Sequence, residues 1–156
     1  MASSLEILKK EFQQLQNDPI VALGINVGLI NEDYYHWKCI MMGPKGTPYE
    51  GGFFTLTIDF PSDFPKRRPE VKFKNKMYHL NVNTDGHVCI NTLNDWEKHI
   101  KKPSISQVLS NIFALFHMQN PNSAYGDVNL YRNNRAQFDR NAKEWTKKYA
   151  GPDSVE

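Results

Sequence analysis

Residues 53–60 have the sequence FFTLTIDF, in which apolar side chains alternate with threonine and aspartate. Successive side chains of a β-strand point to opposite faces of the sheet, so this stretch predicts a strand with one buried face. The buried face would consist of Phe54, Leu56, Ile58 and Phe60.

Further strands are predicted on both sides of this one. Residues 21–29 alternate in the same way, and residues 34–42 form an apolar and aromatic run that ends at the turn sequence GPKG at 43–46. Val71 and Phe73 indicate another short strand. Short turns between successive strands favour an antiparallel meander.

Helices are predicted before and after the strands. Residues 3–18 carry apolar residues at intervals of three and four, and Ser3 and Glu6 have the spacing of a capping box. Ser104 and Gln107 repeat that spacing at the start of a central apolar helix. A last helix would place one apolar stripe on its buried side, consisting of Phe138, Ala142, Trp145 and Tyr149.

Two segments lack a clear period. Residues 74–103 show no sustained pattern, and residues 120–134 are polar, with room for one short helical turn. A stretch as long as 74–103 without regular elements is typical of a functional segment. The order of elements predicts a single α+β domain over residues 1–156, with its core at about 4–150.

Composition narrows the class of protein. The chain is 40% hydrophobic and has a formal net charge of +2, which is too balanced for a nucleic-acid-binding protein. No apolar run is long enough to span a bilayer, and two cysteines are too few for a disulfide framework. We therefore expect a soluble monomer of the cytoplasm or nucleus, with no membrane partner.

The residues that could carry chemistry lie in the segment 74–103. Cys89 follows the turn sequence Asp85-Gly86, and from this context alone it could serve either packing or thiol chemistry. Cys39 lies in a predicted strand and is expected in the core. Three histidines in this segment could be structural, exposed or catalytic, and they lack the paired spacing of a metal site: His79, His87 and His99.

A series of short motifs, in order along the chain, resembles the ubiquitin-conjugating enzymes from about residue 4 to residue 150. The motifs are Trp37, Gly43-Pro44, Pro48-Tyr49-Glu50-Gly51-Gly52-Phe53, Phe60-Pro61, Phe64-Pro65, Pro69, Tyr78-His79-x-Asn81, Gly86-x-Val88-Cys89-Ile90, Trp96, Asn120-Pro121-Asn122 and Glu144-Trp145-Thr146-Lys147-Lys148-Tyr149. The resemblance implies a four-stranded antiparallel meander flanked by an N-terminal helix, a central helix and C-terminal helices.

The resemblance also implies an activity. Cys89 would accept ubiquitin as a thioester from an activating enzyme, which alone consumes ATP, so that no cofactor is bound here. It would then pass ubiquitin to a substrate lysine or to a RING or HECT-type ligase. Residues 144–149 are similar to the ending of broad-acting ubiquitin carriers, whereas the basic surface leaves a SUMO carrier as an alternative.

Roles for the neighbouring residues follow from the same resemblance. Asn81 would stabilise an oxyanion or act as a scaffold, and His79 would order the loop rather than act as a base. Ser123 stands where many members carry an acidic residue that orients the attacking lysine. Support for the active-site loop would come from three further residues: Tyr78, Leu80 and Asn122.

The chain departs from the family pattern at three places. Leu80 replaces the usual proline, which restores an N–H that needs a partner and adds backbone freedom. Lys66 replaces a phenylalanine that some members present to ligases. The second ligase-contact loop, at 96–104, is longer than in those members and is charged, and we expect Lys98 and His99 to contact ligases there. An unusual set of ligases would follow.

The Phe64–Pro65 bond is also a candidate cis peptide.

Two alternatives from other classes stay open. An inactive member of the family would act only as a binding module, although such variants lack the cysteine that this chain retains. A cysteine hydrolase would pair Cys89 with a histidine, but His87 and Cys89 would point to opposite faces of an extended segment.

Overall fold

The computed structural model describes residues 2–99 and 104–154, and of Lys98 and His99 it describes only the backbone. Within these residues the sheet has four strands in the order β1-β2-β3-β4, and each neighbouring pair is antiparallel. The strands are β1 (Ile25–Ile30), β2 (Asp33–Met42), β3 (Phe53–Asp59) and β4 (Glu70–Phe73). The predicted α+β meander is confirmed, as is the buried face of β3.

The prediction of a strand over 21–29 was wrong at its start. Pro19–Leu23 forms a 3-10 helix, whose first turn is capped by the Asp18 carboxylate accepting a hydrogen bond from the Ile20 N–H at 3.0 Å. Gly24 then turns the chain with φ at 86°, so β1 begins only at Ile25. Val21 and Leu23 of this helix are exposed, whereas Ile20 is buried.

Helix α1 (Ser4–Gln16) crosses the sheet and buries Leu8 and Leu15. Its Phe12 ring packs edge-on against Trp37 of β2, with the ring centroids 5.3 Å apart. The Ser3 hydroxyl accepts a hydrogen bond from the Glu6 N–H, which confirms the predicted cap.

The irregular segments contain more helix than the sequence predicts. Two short helices follow Cys89, α2 (Asn91–Asn94) and α3 (Trp96–His99), before the central helix α4 (Ile105–Ala114). Ser104 caps α4 through the Gln107 N–H, as predicted. The polar segment 120–134 forms two helical turns rather than one, a 3-10 turn at Pro121–Ser123 and α5 (Val128–Asn133). Asn120 and Asp127 each cap one of them.

Helix α6 (Arg135–Tyr149) is the last α-helix of the described residues, and a 3-10 turn at Pro152–Ser154 follows it. Phe138 and Ala142 are buried as predicted, but Trp145 is 37% exposed and Thr146 takes the next buried position. Residue 146 lies four positions after Ala142, so Thr146 also falls on the side of the helix that faces the core. No helix in the described ranges has the length and apolar character that crossing a membrane would require. The Phe64–Pro65 peptide is cis, as predicted.

Candidate active site

The two cysteines occupy opposite environments. Cys39 is fully buried in β2, and this burial raises the pKa of its thiol to about 12. Cys89 is half-buried and free, so it is the thiol that a macromolecular substrate can reach. Any thiol chemistry therefore belongs to Cys89.

A glycine turn brings Cys89 to the end of the sheet. Gly86 has φ at 89°, and its carbonyl accepts a hydrogen bond from the Phe73 N–H at 2.8 Å. A Cβ at Gly86 would lie 2.0 Å from the Phe73 carbonyl oxygen, so only glycine fits here. Three residues after Gly86, the Cys89 N–H donates to the Asn81 carbonyl at 2.8 Å, which ties the cysteine to the preceding loop.

Two side chains that the sequence analysis missed lie beside the Cys89 sulfur. The Asn94 side-chain amide donates a hydrogen bond from Nδ2 to Cys89 Sγ at 3.3 Å. The pKa of Tyr125 is raised, first by partial burial and then by the charge of Cys89 and a hydrogen bond with it. Neither residue has a sequence signal, because only the fold of α2 and of the segment after Asn120 brings them to the thiol.

Asn81 is fully buried and its side chain is fully engaged. Nδ2 donates to the backbone carbonyls of Asn120 at 2.9 Å and Ser123 at 3.0 Å, and Oδ1 accepts from the Asn120 N–H at 2.8 Å. Both N–H bonds of the carboxamide are therefore committed to backbone oxygens. This geometry favours the scaffold role of Asn81 over the oxyanion role.

His79 is buried and holds two segments together. Its Nε2 donates to the Leu115 carbonyl at 2.8 Å, because Nδ1 must accept the Asn81 N–H at 3.0 Å. Burial lowers the pKa of His79 to about 4, so the ring is neutral at physiological pH. With both nitrogens engaged, His79 is placed to order the loop and not to exchange protons.

Leu80 is fully buried, and its N–H has a partner. It donates to Gln119 Oε1 at 2.8 Å, while Gln119 Nε2 donates to the Tyr49 hydroxyl at 2.9 Å. The Tyr49 hydroxyl in turn donates to the Tyr78 carbonyl at 2.6 Å. This chain of bonds, which we name the Gln119 relay, satisfies the N–H that proline would lack and fixes the loop on both sides of His79.

The remaining predicted site residues surround this loop. Ser123 is half-buried, and its carbonyl oxygen is held by Asn81. Asn122 is exposed and accepts a hydrogen bond from Arg132 at 3.4 Å. The Tyr78 ring packs on Phe138, with the ring centroids 4.8 Å apart.

The loop that carries Lys66 lies against the segment after α2. Trp96 Nε1 donates to the Pro65 carbonyl at 2.8 Å, and a cleft of about 500 Å³ runs between the two segments. Lys66 is exposed beside this cleft, whereas Arg67 already forms an ion pair with Asp63 at 2.8 Å. The other predicted ligase contacts, the side chains of Lys98 and His99, lie outside the described residues.

Comparison with known proteins agrees with the fold and the order of motifs. The family description "ubiquitin-conjugating enzyme" matches residues 7–146. A solved structure described as a candidate ubiquitin conjugating enzyme from Plasmodium yoelii has a TM-score of 0.82 and 31% identity, with 97% of each chain covered. The E2 domain of a Toxoplasma gondii ubiquitin conjugating enzyme has a TM-score of 0.78 and 31% identity, covering 92% of this chain and 97% of that domain.

Proposed function

This chain belongs to the ubiquitin-conjugating enzyme family, and we propose that it accepts ubiquitin from an activating enzyme as a thioester on Cys89 and transfers it to a substrate lysine or to a ligase. The observation that carries the proposal is the contrast between the two thiols. Cys39 is sealed in the core, whereas Cys89 is accessible, bonded to an amide donor and placed at the end of an anchored loop.

The reaction consists of two acyl transfers. In the first, the Cys89 thiolate attacks the thioester that joins ubiquitin to the activating enzyme, whose own thiolate leaves. In the second, a neutral amine attacks the thioester carbonyl carbon on Cys89, and the C–S bond breaks as the C–N bond forms. ATP is consumed only by the activating enzyme, so this chain needs to bind no cofactor.

The buried residues prepare the site for these steps. The Asn81 side chain fixes the backbone at Asn120 and Ser123. The His79 ring joins its own loop to the end of α4. Holding reacting groups in a fixed geometry lowers the entropic part of the barrier. Ser123 carries no charge, so the acceptor lysine must be oriented without a carboxylate at that position.

Ligase choice is the second part of the proposal. An exposed lysine at position 66 offers no aromatic anchor, and anchors of that kind carry most of the binding energy of an interface. We expect Lys66→Phe to raise affinity for RING ligases that use an apolar groove. An unchanged binding profile across a ligase panel would defeat this part.

We place the reaction in the cytoplasm or nucleus, where thiols stay reduced.

A loading assay tests the proposal. The protein is mixed with ATP, fluorescent ubiquitin and a ubiquitin-activating enzyme, and adducts are separated with and without reductant. Wild type should form an adduct that reductant removes, Cys89→Ser a resistant oxyester, and Cys89→Ala none. Cys39→Ala is the matched control, because it removes the other thiol and should leave loading intact.

Other outcomes of the same assay point to the alternatives. Loading with SUMO by its activating enzyme, but not with ubiquitin, would make the chain a SUMO carrier. A folded protein that no activating enzyme loads would be a binding module. Release of ubiquitin from an amide-linked test substrate would indicate a hydrolase.

A further inference from the structure

The Asn94 carboxamide is aimed at the reacting sulfur. We propose that Asn94 is a catalytic residue of this site, whose side-chain N–H stabilises the Cys89 thiolate before loading and the negative charge that returns to Cys89 Sγ when the amine displaces it. The inference rests on the proposed function and adds a residue to it. Its basis is the 3.3 Å hydrogen bond from Asn94 Nδ2 to the sulfur.

The chemistry requires a donor at this atom. When the amine attacks the thioester, the electron pair of the breaking C–S bond leaves with sulfur, and the amine proton passes to solvent. Sulfur is neutral in the thioester and carries growing negative charge in the transition state. A hydrogen bond to an ionised acceptor is stronger than one to a neutral acceptor, so this contact stabilises the transition state more than the ground state.

Asn81 is not free to fill this role. Both of its N–H bonds are held by backbone carbonyls in the interior, whereas Asn94 is exposed and has an N–H directed at Sγ. Its backbone is also fixed close to the cysteine, because the Asn94 N–H donates to the Ile90 carbonyl at 2.9 Å. Leu93 is buried beside it and anchors α2 to the core.

Several charged groups among the described residues line the clefts at Asn94, and the test variants leave all of these groups in place. Asn94 and Tyr125 line a cleft of about 480 Å³ together with Arg68 and the His87–Glu70 pair, in which His87 Nε2 lies 3.1 Å from Glu70 Oε1. A second cleft places Asn94 beside four further charged residues: Lys66, Arg67, Asp95 and Glu97. Because none of these groups is substituted in the variants, we assign a change in the ionisation of Cys89 to position 94.

The test uses Asn94→Leu, which removes the donor, and Asn94→Asp, which places a carboxylate in the same space. Alkylation of Cys89 by iodoacetamide, followed by mass spectrometry across pH, reports the thiolate. We expect the pH at which alkylation is half-maximal to rise by about one unit in Asn94→Leu and further in Asn94→Asp. Discharge of preloaded ubiquitin to free lysine should slow about tenfold in Asn94→Leu.

The matched control is Asn129→Leu, the same substitution at an exposed position of the short helix α5, which should change neither readout. A wild-type alkylation midpoint in Asn94→Leu would overturn the proposal whatever the discharge rate. A shifted midpoint with wild-type discharge would overturn the catalytic assignment. If wild type fails to load, the proposed function fails, while alkylation still decides whether Asn94 stabilises the thiolate.

Discussion

The Gln119 relay yields a quantitative prediction. Gln119→Leu removes the acceptor of the Leu80 N–H, which is 0% exposed and cannot turn to water. An unpaired buried N–H costs about 1–3 kcal/mol, and the Tyr49 hydroxyl loses a donor as well. We expect a loss of about 2 kcal/mol in the free energy of unfolding, which lowers Tm by about 4–8 °C.

Urea unfolding of wild type, Gln119→Leu, Leu80→Pro and the double variant measures the free energy of the hydrogen bond between the Leu80 N–H and Gln119. Leu80→Pro also removes the N–H, at the cost of leucine contacts with Tyr131 and Phe138. In that background Gln119→Leu should cost less than it does alone, by about 1 kcal/mol or more, because the lost bond no longer exists. Equal costs in both backgrounds would refute the idea that Gln119 serves the Leu80 N–H.

The relay should also matter for transfer, because it fixes the loop that positions Asn81. Gln119→Leu should slow discharge to lysine at saturating lysine by about threefold to tenfold, while loading stays complete. Leu15→Ala is the stability control, because it shortens a buried side chain of α1 and should lower Tm without changing the discharge rate. Equal discharge in wild type and Gln119→Leu would limit the relay to stability.

Three further predictions test single features. Burial lowers the pKa of His79 to about 4 in the folded protein, against about 6.5 in the unfolded chain, so neutral His79 favours folding above pH 6.5 and this stabilisation is lost as pH falls toward 4. Urea titrations should show that wild type loses about 2 kcal/mol of unfolding free energy by pH 5, and that His79→Phe lacks this pH dependence. Gly86→Ala should cost about 2–5 kcal/mol from clash and positive φ, whereas Gly46→Ala, with positive φ in open space, should cost only about 1–2 kcal/mol by the same measurement. In Cys89→Ala the pKa of Tyr125 should fall toward its ordinary value, as followed by NMR of labelled tyrosine; an unchanged titration would remove the cysteine as a cause.

The fold was predictable where a local period reflects a single buried face. Strand β3 has the buried face that its alternation predicts, and the central apolar helix that was predicted to begin at Ser104 is present as α4. Residues 21–23 were predicted as strand because an alternating pattern does not reveal the Asp18 cap or the left-handed conformation of Gly24. Trp145 fits the spacing of the predicted stripe on α6 and is nevertheless exposed, whereas Thr146 is buried, so the helical period alone did not identify the buried residue.

The site was predictable only as a set of residue types. Motif order identified Cys89, His79 and Asn81, but no spacing indicates that the Asn81 carboxamide turns toward Asn120, because the two residues are 39 positions apart. The same holds for Gln119, which meets Leu80 across an equal separation. Such partners depend on how loops cross, and loop crossings leave no period in the sequence.

The exchange of proline for leucine shows why these long-range partners matter. Proline restricts the backbone at its own position and has no N–H that needs a partner, so its effect does not depend on any distant residue. Leucine at position 80 instead requires an acceptor from a distant segment, and Gln119 supplies it only because Tyr49 holds the amide. Leu80, Gln119 and Tyr49 therefore act as one unit, and substitutions among them should be strongly non-additive. Tertiary hydrogen bonds therefore hold the loop at Leu80, where the resemblance in the sequence implied a proline ring.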